Sequence, residues 1–255
     1  MLTVVVPSYN EGGNVRNLVC QIDNALEDIE HEILFVDDST DDTPDIIEKT
    51  AKEFRSVRLI HRENEKGLAT AVLLGFKEAK GDVLACIDAD LQHPPVTLKY
   101  MYYAIQEGAD ICIPSRYLPG GSDGGLDSYR KFVSWTARKM GQVLLPPLKK
   151  LSDPTSGLFM LKKKVIEKCD LRPIGWKIMI EVVAMGDFSK LIEIPYRFSE
   201  RLSGESKLSK DATLQYIKQI KDLSRRYNKS NRFKVIRWSY AKMVNAAGEE
   251  AKPVR

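Results

Sequence analysis

Five short apolar runs punctuate the first half of the chain: LTVVV (2–6), EILFV (32–36), VRLI (57–60), DVLACI (82–87) and DICI (110–113). Helix-like segments over 14–28, 43–54, 67–80 and 95–107 fill the gaps between them. The runs are rich in Val, Ile and Leu and do not alternate apolar with polar, the pattern of strands covered on both faces. Pro94-Pro95 opens the fourth helical segment, where Pro suits the first turn. A strand-helix-strand series of this kind predicts an α/β fold, a mostly parallel open sheet with flanking helices and right-handed crossovers. Ligands of such sheets bind beyond the carboxyl ends of the strands.

Polar residues gather at those ends. The first strand runs into Pro7-Ser8-Tyr9-Asn10-Glu11 and the second into Asp37-Asp38-Ser39-Thr40-Asp41-Asp42. The strand at 83–87 ends in Asp88-Ala89-Asp90-Leu91-Gln92, and that at 110–113 in Ser115-Arg116-Tyr117. One such cluster is ordinary loop chemistry, and Asp42 with Thr43 would cap the next helix. Four on one sheet edge predict a shared site. GxGxxG and GxxxxGK[ST] are absent, so the usual dinucleotide and P-loop cradles are not the answer.

Asp88 and Asp90 form a DxD pair whose carboxylates repel unless a cation lies near them. Gln92 adds an amide oxygen, and an all-oxygen set suits Mg2+ or Mn2+, which in turn hold phosphate oxygens. His93 adjoins the set as a candidate ligand or a plain loop residue. A DxD alone is a weak signal. With Asp37-Asp38 and PSYNE on the same edge, a nucleotide-diphosphate-sugar is the economical ligand. Asp38 would accept from ribose or base, and the ion would neutralise the departing diphosphate.

The second half differs. A Gly-rich stretch (119–125) leads to a helical segment, 128–148, that sets Phe132, Val133, Trp135, Val143 and Leu144 among Arg130, Lys131, Arg138 and Lys139. That pattern fits a helix lying in a membrane interface, or equally a core helix on the sheet. Asp153-Pro-Thr-Ser-Gly157, a strand at 158–161, a helix containing Lys177 and Glu181 and a strand at 190–198 follow. A basic helical tail then carries Leu214, Ile217, Ile220 and Leu223 at helical spacing. Between Lys207 and Lys242 eleven Lys or Arg face two acids, although the whole chain is only +4. Such asymmetry suits an anionic partner, a membrane surface or a nucleic acid, but composition alone favours a solvated helix with ordinary surface charge. Lys234-Val-Ile-Arg-Trp238 imitates the QxxRW of processive polysaccharide synthases without its Gln.

The 255 residues suffice for one large domain with an appendage, and no apolar stretch approaches the ~20 residues of a membrane span. Cys20, Cys86, Cys112 and Cys169 show no CxxC pairing, and MLTVVVPSYNE reads as a strand rather than a leader. A cytoplasmic setting is expected.

VVVPSYNE, FVDDSTDD, NEKGLATAVLLGFKEAKGD, DADLQHPP, SRY, YRK, SDPTSG, GWKIMIEV and GESKLS together resemble the family 2 glycosyltransferases of GT-A (Rossmann-like) fold. Within them the likeness is to the polyprenyl-phosphate sugar transferases of the dolichyl-phosphate mannose synthase type, from Leu2 to about Tyr227. The family's DDxSPDGT stands here as Asp37 to Pro44, with Asp41 and Thr43 in place of its Pro and Gly. The resemblance implies that Pro7, Tyr9, Glu11, Val36 and Asp38 hold the nucleoside. Asp88, Ala89, Asp90 and Gln92 would form the metal and diphosphate site, with Arg116 and Lys177 near the donor. Arg130, Ser134 and Arg201 would meet the lipid phosphate, beside Arg116. Lys207 is added because a loop carrying it and Arg201 could close over two phosphorylated substrates.

The implied reaction is metal-dependent, inverting transfer of mannose from GDP-mannose to dolichyl phosphate. Asp88, Asp90, Arg116 and Arg130 are its candidate catalytic groups. An anionic acceptor phosphate needs no general base, so arginines and lysines replace a His or Ser triad. Glu181 and Asp153 either position sugar hydroxyls or pair with bases. Residues 1–208 would be the catalytic domain and 209–255 a basic amphipathic helical segment with a polar tail. The protein would sit peripherally on the cytosolic face of a membrane, with a membrane-anchoring subunit as a candidate partner and no nucleic acid. Rival readings are a UDP-glucose:polyprenyl-phosphate glucosyltransferase and, more remotely, a non-catalytic nucleotide-sugar or nucleic-acid binder.

Overall fold

A computed structural model describes residues 1–125, 128–199 and 210–250, with side chains given except at 128–133 and 210–212. Along the chain lie β1 (Leu2–Ser8), α1 (Gly12–Ala25), β2 (His31–Asp37), α2 (Thr43–Glu53), β3 (Val57–His61), α3 (Leu68–Glu78) and β4 (Val83–Cys86). Then come α4 (Val96–Gln106), β5 (Ile111–Ser115), α5 (Ser128–Leu144), β6 (Phe159–Lys162), α6 (Ile178–Met185), β7 (Lys190–Pro195), α7 (Lys210–Arg226), β8 (Lys234–Arg237) and α8 (Tyr240–Ala246). Pro146 and Pro147 open a short 3-10 turn two residues past α5, so the helix stops at Leu144 rather than running to 148.

Among the described residues the strands form one eight-stranded sheet in the order β3-β2-β1-β4-β6-β5-β7-β8. All neighbours are parallel except β6, which runs antiparallel to β4 and β5. The apolar runs do not alternate because both faces are covered. Val4 and Val6 of β1 and Ile33 and Phe35 of β2 point into one core with α1, α2, α4 and α8. Val5, Leu34 and Val36 point into the other, with α3, α6 and α7. Each fully buried Leu, Ile or Phe is worth roughly 1.5–3 kcal/mol of removal from water. On the second face α3 approaches β1 so closely that a Cβ at Gly75 would lie 2.3 Å from Val5 Cγ1. Glycine is required there.

Two features of the topology make the site. β2 and β4 lie on opposite sides of β1, so the chain changes direction across the sheet at the β1/β4 carboxyl edge, where α/β sheets open a crevice. Because β6 is reversed, the loop that precedes it emerges at the same edge as the ends of β4 and β5. The register pairs Cys86 with Phe159, which brings Gly157 against Asp88.

The basic segment after residue 209 is not helical throughout. α7 buries Tyr216, Ile220 and Leu223 in the second core, whereas Leu214 and Ile217 stay exposed. Residues 234–237 then add a parallel edge strand beside β7, and Met243 and Val244 of α8 join the first core. A four-residue strand with Lys234 and Arg237 at its ends lacks the length and alternation that announce a strand in sequence, and edge charges of this kind blunt further pairing.

Candidate active site

At the carboxyl edge opens a cavity of about 760 Å3. β1 and β4 supply its floor, the 152–158 loop and Tyr196 one wall, and residues of α5 and α7 its outer rim. Pro7, Tyr9, Glu11, Asp38, Asp88, Ala89, Asp90, Gln92, Arg116, Ser134 and Lys177 all line it. Val36 does not: its side chain is fully buried in the core, against α3. Arg130 lies on α5 with its side chain outside the described atoms, and Arg201 and Lys207 lie outside the described residues.

The two acids that follow β2 have different tasks. Asp37 is fully buried and accepts from Ser8 Oγ at 2.7 Å, Ser39 Oγ at 2.6 Å and the Ser39 N–H at 3.1 Å, with His61 Nδ1 at 2.9 Å. It ties the ends of β1, β2 and β3 together. Asp38 lines the cavity, but Arg62 grips both of its oxygens, Nε at 2.7 Å and Nη2 at 2.6 Å, and the Gly67 N–H adds a third bond at 2.8 Å. A carboxylate has about four acceptor positions, so the expectation that Asp38 receives a nucleoside is narrowed: Arg62 has taken its ion-pairing capacity. The α2 cap also differs from expectation. Asp41 Oδ1, not Asp42, accepts from the Thr43 N–H at 3.0 Å, and Thr43 Oγ1 accepts from the Gly12 N–H across to α1.

The DAD turn is held by its own backbone. Asp90 is buried and accepts the Gln92 N–H at 3.1 Å, with Leu91 at φ +60 completing the bend. Asp88 keeps 35% of its side chain exposed, towards the cavity it lines. A Cβ at Gly157 would sit 2.6 Å from Asp88 Oδ2, so glycine there leaves the carboxylate its room. His93, buried, brings Nε2 to 3.6 Å from Asp88 Oδ2 and stacks on Tyr196 with centroids 5.8 Å apart. Among the described residues three or more His, Cys, Asp or Glu never converge into a metal cluster. Asp88, Asp90 and Gln92 line one cavity, and two carboxylates with an amide oxygen are a donor set that fits a hard cation completing its shell with water and phosphate oxygens.

Beyond the turn lies a second charged unit. Arg116 donates to Asp153 through Nε at 2.7 Å and Nη2 at 2.9 Å, a buried two-pronged pair. Burial pushes the Arg116 pKa down, but Asp153 outweighs it and the net shift is upward. Burial likewise pushes Asp153 up, and the Arg116 bonds and charge bring it net below the usual carboxylate range. Asp153 is therefore the anchor of Arg116. Lys177 donates to the Thr155 carbonyl at 2.6 Å and sits 3.9 Å from the Trp176 ring centroid. Burial, then the Arg116 charge, pushes its pKa down to about 8, against the pull of Asp88 and Asp153. Glu181 faces away from this chemistry: it is fully buried and accepts from the Arg172 N–H at 2.8 Å and from Arg226, fastening α6 to α7.

Sequence reasoning missed Arg62, Tyr196 and the stacking of His93. Arg62 stands two residues before NEKGL, outside the runs marked as family-like, and its pairing with Asp38 across 24 positions leaves no local trace.

The glycosyl transferase family 2 profile matches residues 3–170. By structure, the chain superposes with a TM-score of 0.67 and 17% identity on a glucosyl-3-phosphoglycerate synthase from Mycobacterium tuberculosis, over 90% of this chain and 80% of that one. That likeness defines the class: a GT-A glycosyltransferase fold. Over 222 residues the sequence is 44% identical to a dolichol-phosphate mannosyltransferase of Pyrococcus furiosus, 86% of this chain and 62% of the relative, so it spans less than two thirds of that protein. It is 39% identical over 234 residues to the Saccharomyces cerevisiae dolichol-phosphate mannosyltransferase, 87% and 86% of the two chains. It is 33% identical over 216 residues to a polyprenol monophosphomannose synthase of Mycolicibacterium smegmatis, 81% and 80%. The chain belongs to glycosyl transferase family 2, in its dolichol-phosphate mannosyltransferase group.

Proposed function

We propose that the protein transfers mannose from GDP-mannose to a polyprenyl phosphate such as dolichyl phosphate, with inversion at the anomeric carbon. The observation that supports this best is the pairing, in one cavity, of the Asp88-Asp90-Gln92 oxygen set with the cationic groups Arg116 and Lys177. Asp88, Asp90 and Gln92 would hold Mg2+ or Mn2+ against the donor diphosphate. When bound, such an ion neutralises charge on the leaving nucleotide. Tyr9, Glu11 and the Asp38–Arg62 pair would border the nucleoside. Arg116 commits Nε and Nη2 to Asp153 and offers Nη1 to a substrate oxygen, its orientation set before substrate arrives. Lys177 supplies a second positive charge for two anionic reactants.

The acceptor's apolar tail needs a route to a membrane. Ser134, Ala137 and Met140 of α5 face the cavity, while Trp135, Val143 and Leu144 on the same helix and Leu214 and Ile217 on α7 are exposed. Apolar side chains on two helices beside the cavity mouth, with the basic character of α7, favour peripheral attachment to an anionic bilayer. Among the described residues there is no helix long and apolar enough to cross a membrane.

The test is a donor panel of radiolabelled GDP-mannose, UDP-glucose and UDP-GlcNAc with dolichyl phosphate, with and without Mn2+. Metal-dependent transfer from GDP-mannose alone is expected. Transfer from UDP-glucose instead would replace the donor assignment, and RNA binding without sugar transfer would sink the enzymatic reading.

A further inference from the structure

Glu193 lies in the middle of β7, fully buried, and is taken up by neither substrate nor core. One carboxylate oxygen accepts both the Ser152 N–H at 2.7 Å and the Ser152 hydroxyl at 2.8 Å. The other accepts Arg237 Nε at 2.9 Å. Arg237 reaches on through Nη2 to the Lys150 carbonyl at 2.7 Å. Glu193 and Arg237 therefore clamp the chain from both sides, immediately before Asp153.

The bonds continue into the charged unit. Ser152 spends its hydroxyl proton on Glu193, so the 2.7 Å contact between the Ser152 and Ser115 hydroxyls has Ser115 as donor. Ser115 Oγ then accepts the Tyr117 N–H at 3.2 Å. The two turn residues that flank Arg116 and the residue before its partner Asp153 are thus held by one carboxylate. Arg237 belongs to the KVIRW run, which has no role in the proposed reaction otherwise, and β7–β8 pairing sets Glu193 opposite Arg237.

We propose that Glu193, braced by Arg237, is a positioning residue that sets the Arg116–Asp153 pair in the active site. The inference rests on reading the cavity as the transferase site, because only then does misplacing this pair have a catalytic cost. A charge-neutral, isosteric Glu193→Gln removes the partner of Arg237 and loosens Ser152, and sub-ångström displacement of a substrate-orienting group is costly in rate.

Two measurements on the full chain keep the readings apart. Amide hydrogen exchange on the free protein reports positioning without substrate: Glu193→Gln and Arg237→Met should each speed exchange at Ser152 and Tyr117 at least fivefold, leaving β1 and β2 amides unchanged. Mannosyl transfer reports the consequence. Glu193→Gln should lower kcat about thirtyfold with a donor KM within threefold of the parent, Arg237→Met about fivefold, and Arg237→Lys less than twofold. Arg237 is half exposed on an edge strand, so its variants fold even where Glu193→Gln does not. Unchanged exchange and unchanged kcat in Arg237→Met would overturn the positioning role. A parent enzyme without transfer, but with the exchange effect intact, would overturn the transferase reading and leave the clamp standing.

Discussion

The two edges of the sheet put their buried carboxylates to different uses. At the amino edge Glu32 accepts from Thr3 Oγ1 and the Lys80 N–H, both at 2.7 Å, and from Arg58 at 3.2 Å. Asp110, also on that edge, accepts from the Ser189 N–H, the Ser189 hydroxyl and the Lys190 N–H at 3.0–3.1 Å, with Lys164 at 3.3 Å. These carboxylates are bonded by the protein itself and fasten strand starts to loops. At the carboxyl edge Asp37 and Asp38 are bonded by the protein's own groups in the same way, but other acids there line or border a cavity. Asp88 looks into a cavity, Asp90 holds its own turn, and Asp153 is spent on orienting an arginine. The acids of the amino edge do not line the cavity, whereas Asp38, Asp88 and Asp90 do. Burial alone does not separate the two.

Substitutions on the two edges should therefore fail differently. The largest effect belongs to Asp90→Ala, which should reduce mannosyl transfer by ~10^3-fold or more with the thermal midpoint little changed; residual turnover above a tenth of the parent's would remove the metal role. Asp153→Asn comes next. Loss of the ion pair frees Arg116 and should cost ~10^2-fold in kcat/KM, and because the pair is buried a stability loss of a few kcal/mol should accompany it. At the amino edge Glu32→Ala should cost about 2–4 kcal/mol in urea unfolding while the folded fraction keeps its kcat and KM. A changed KM there would break the comparison.

Titration sharpens the contrast on a smaller scale. Burial raises the Glu32 and Asp110 carboxyls, but their backbone and side-chain hydrogen bonds bring both net below their ordinary values. A depressed folded-state pKa means stability present above the unfolded value and lost as pH falls through the folded one. Acid unfolding should hence be shallower in Glu32→Gln. The carboxyl edge should respond at the other end of the scale. Lys177, with its pKa near 8, loses charge as pH rises through that value, so affinity for the nucleotide diphosphate should decline there by a few-fold. A Lys177→Arg variant that declined in the same way would show the titrating group to lie elsewhere.

The comparison also marks how far the sequence reaches. The mostly parallel sheet and the polar residues gathered at its carboxyl edge, the DAD-x-Gln run among them, were legible because both-face burial and strand-end polarity are local patterns. Pro7, Tyr9, Glu11, Asp88, Asp90, Gln92, Arg116, Ser134 and Lys177 line one cavity there. The partners of those residues were not legible. Arg62 on Asp38, Asp153 on Arg116 and Glu193 on Ser152 join positions 24, 37 and 41 apart in the chain. Val36 was placed with the nucleoside by the family resemblance, and its side chain belongs to the core. The C-terminal strand escaped because four residues bracketed by charges carry no periodicity.

By itself the sequence determined which residues end up on one edge of a parallel sheet, since strand order of burial and the polarity that follows each strand are written in neighbouring positions. Only the tertiary structure decided which of those acids line the cavity and which are gripped by a cation of the protein's own. The reason is physical: hydrogen-bond saturation depends on groups within about 3 Å in space, and reversal of β6 with addition of β8 brings those groups from distant parts of the chain.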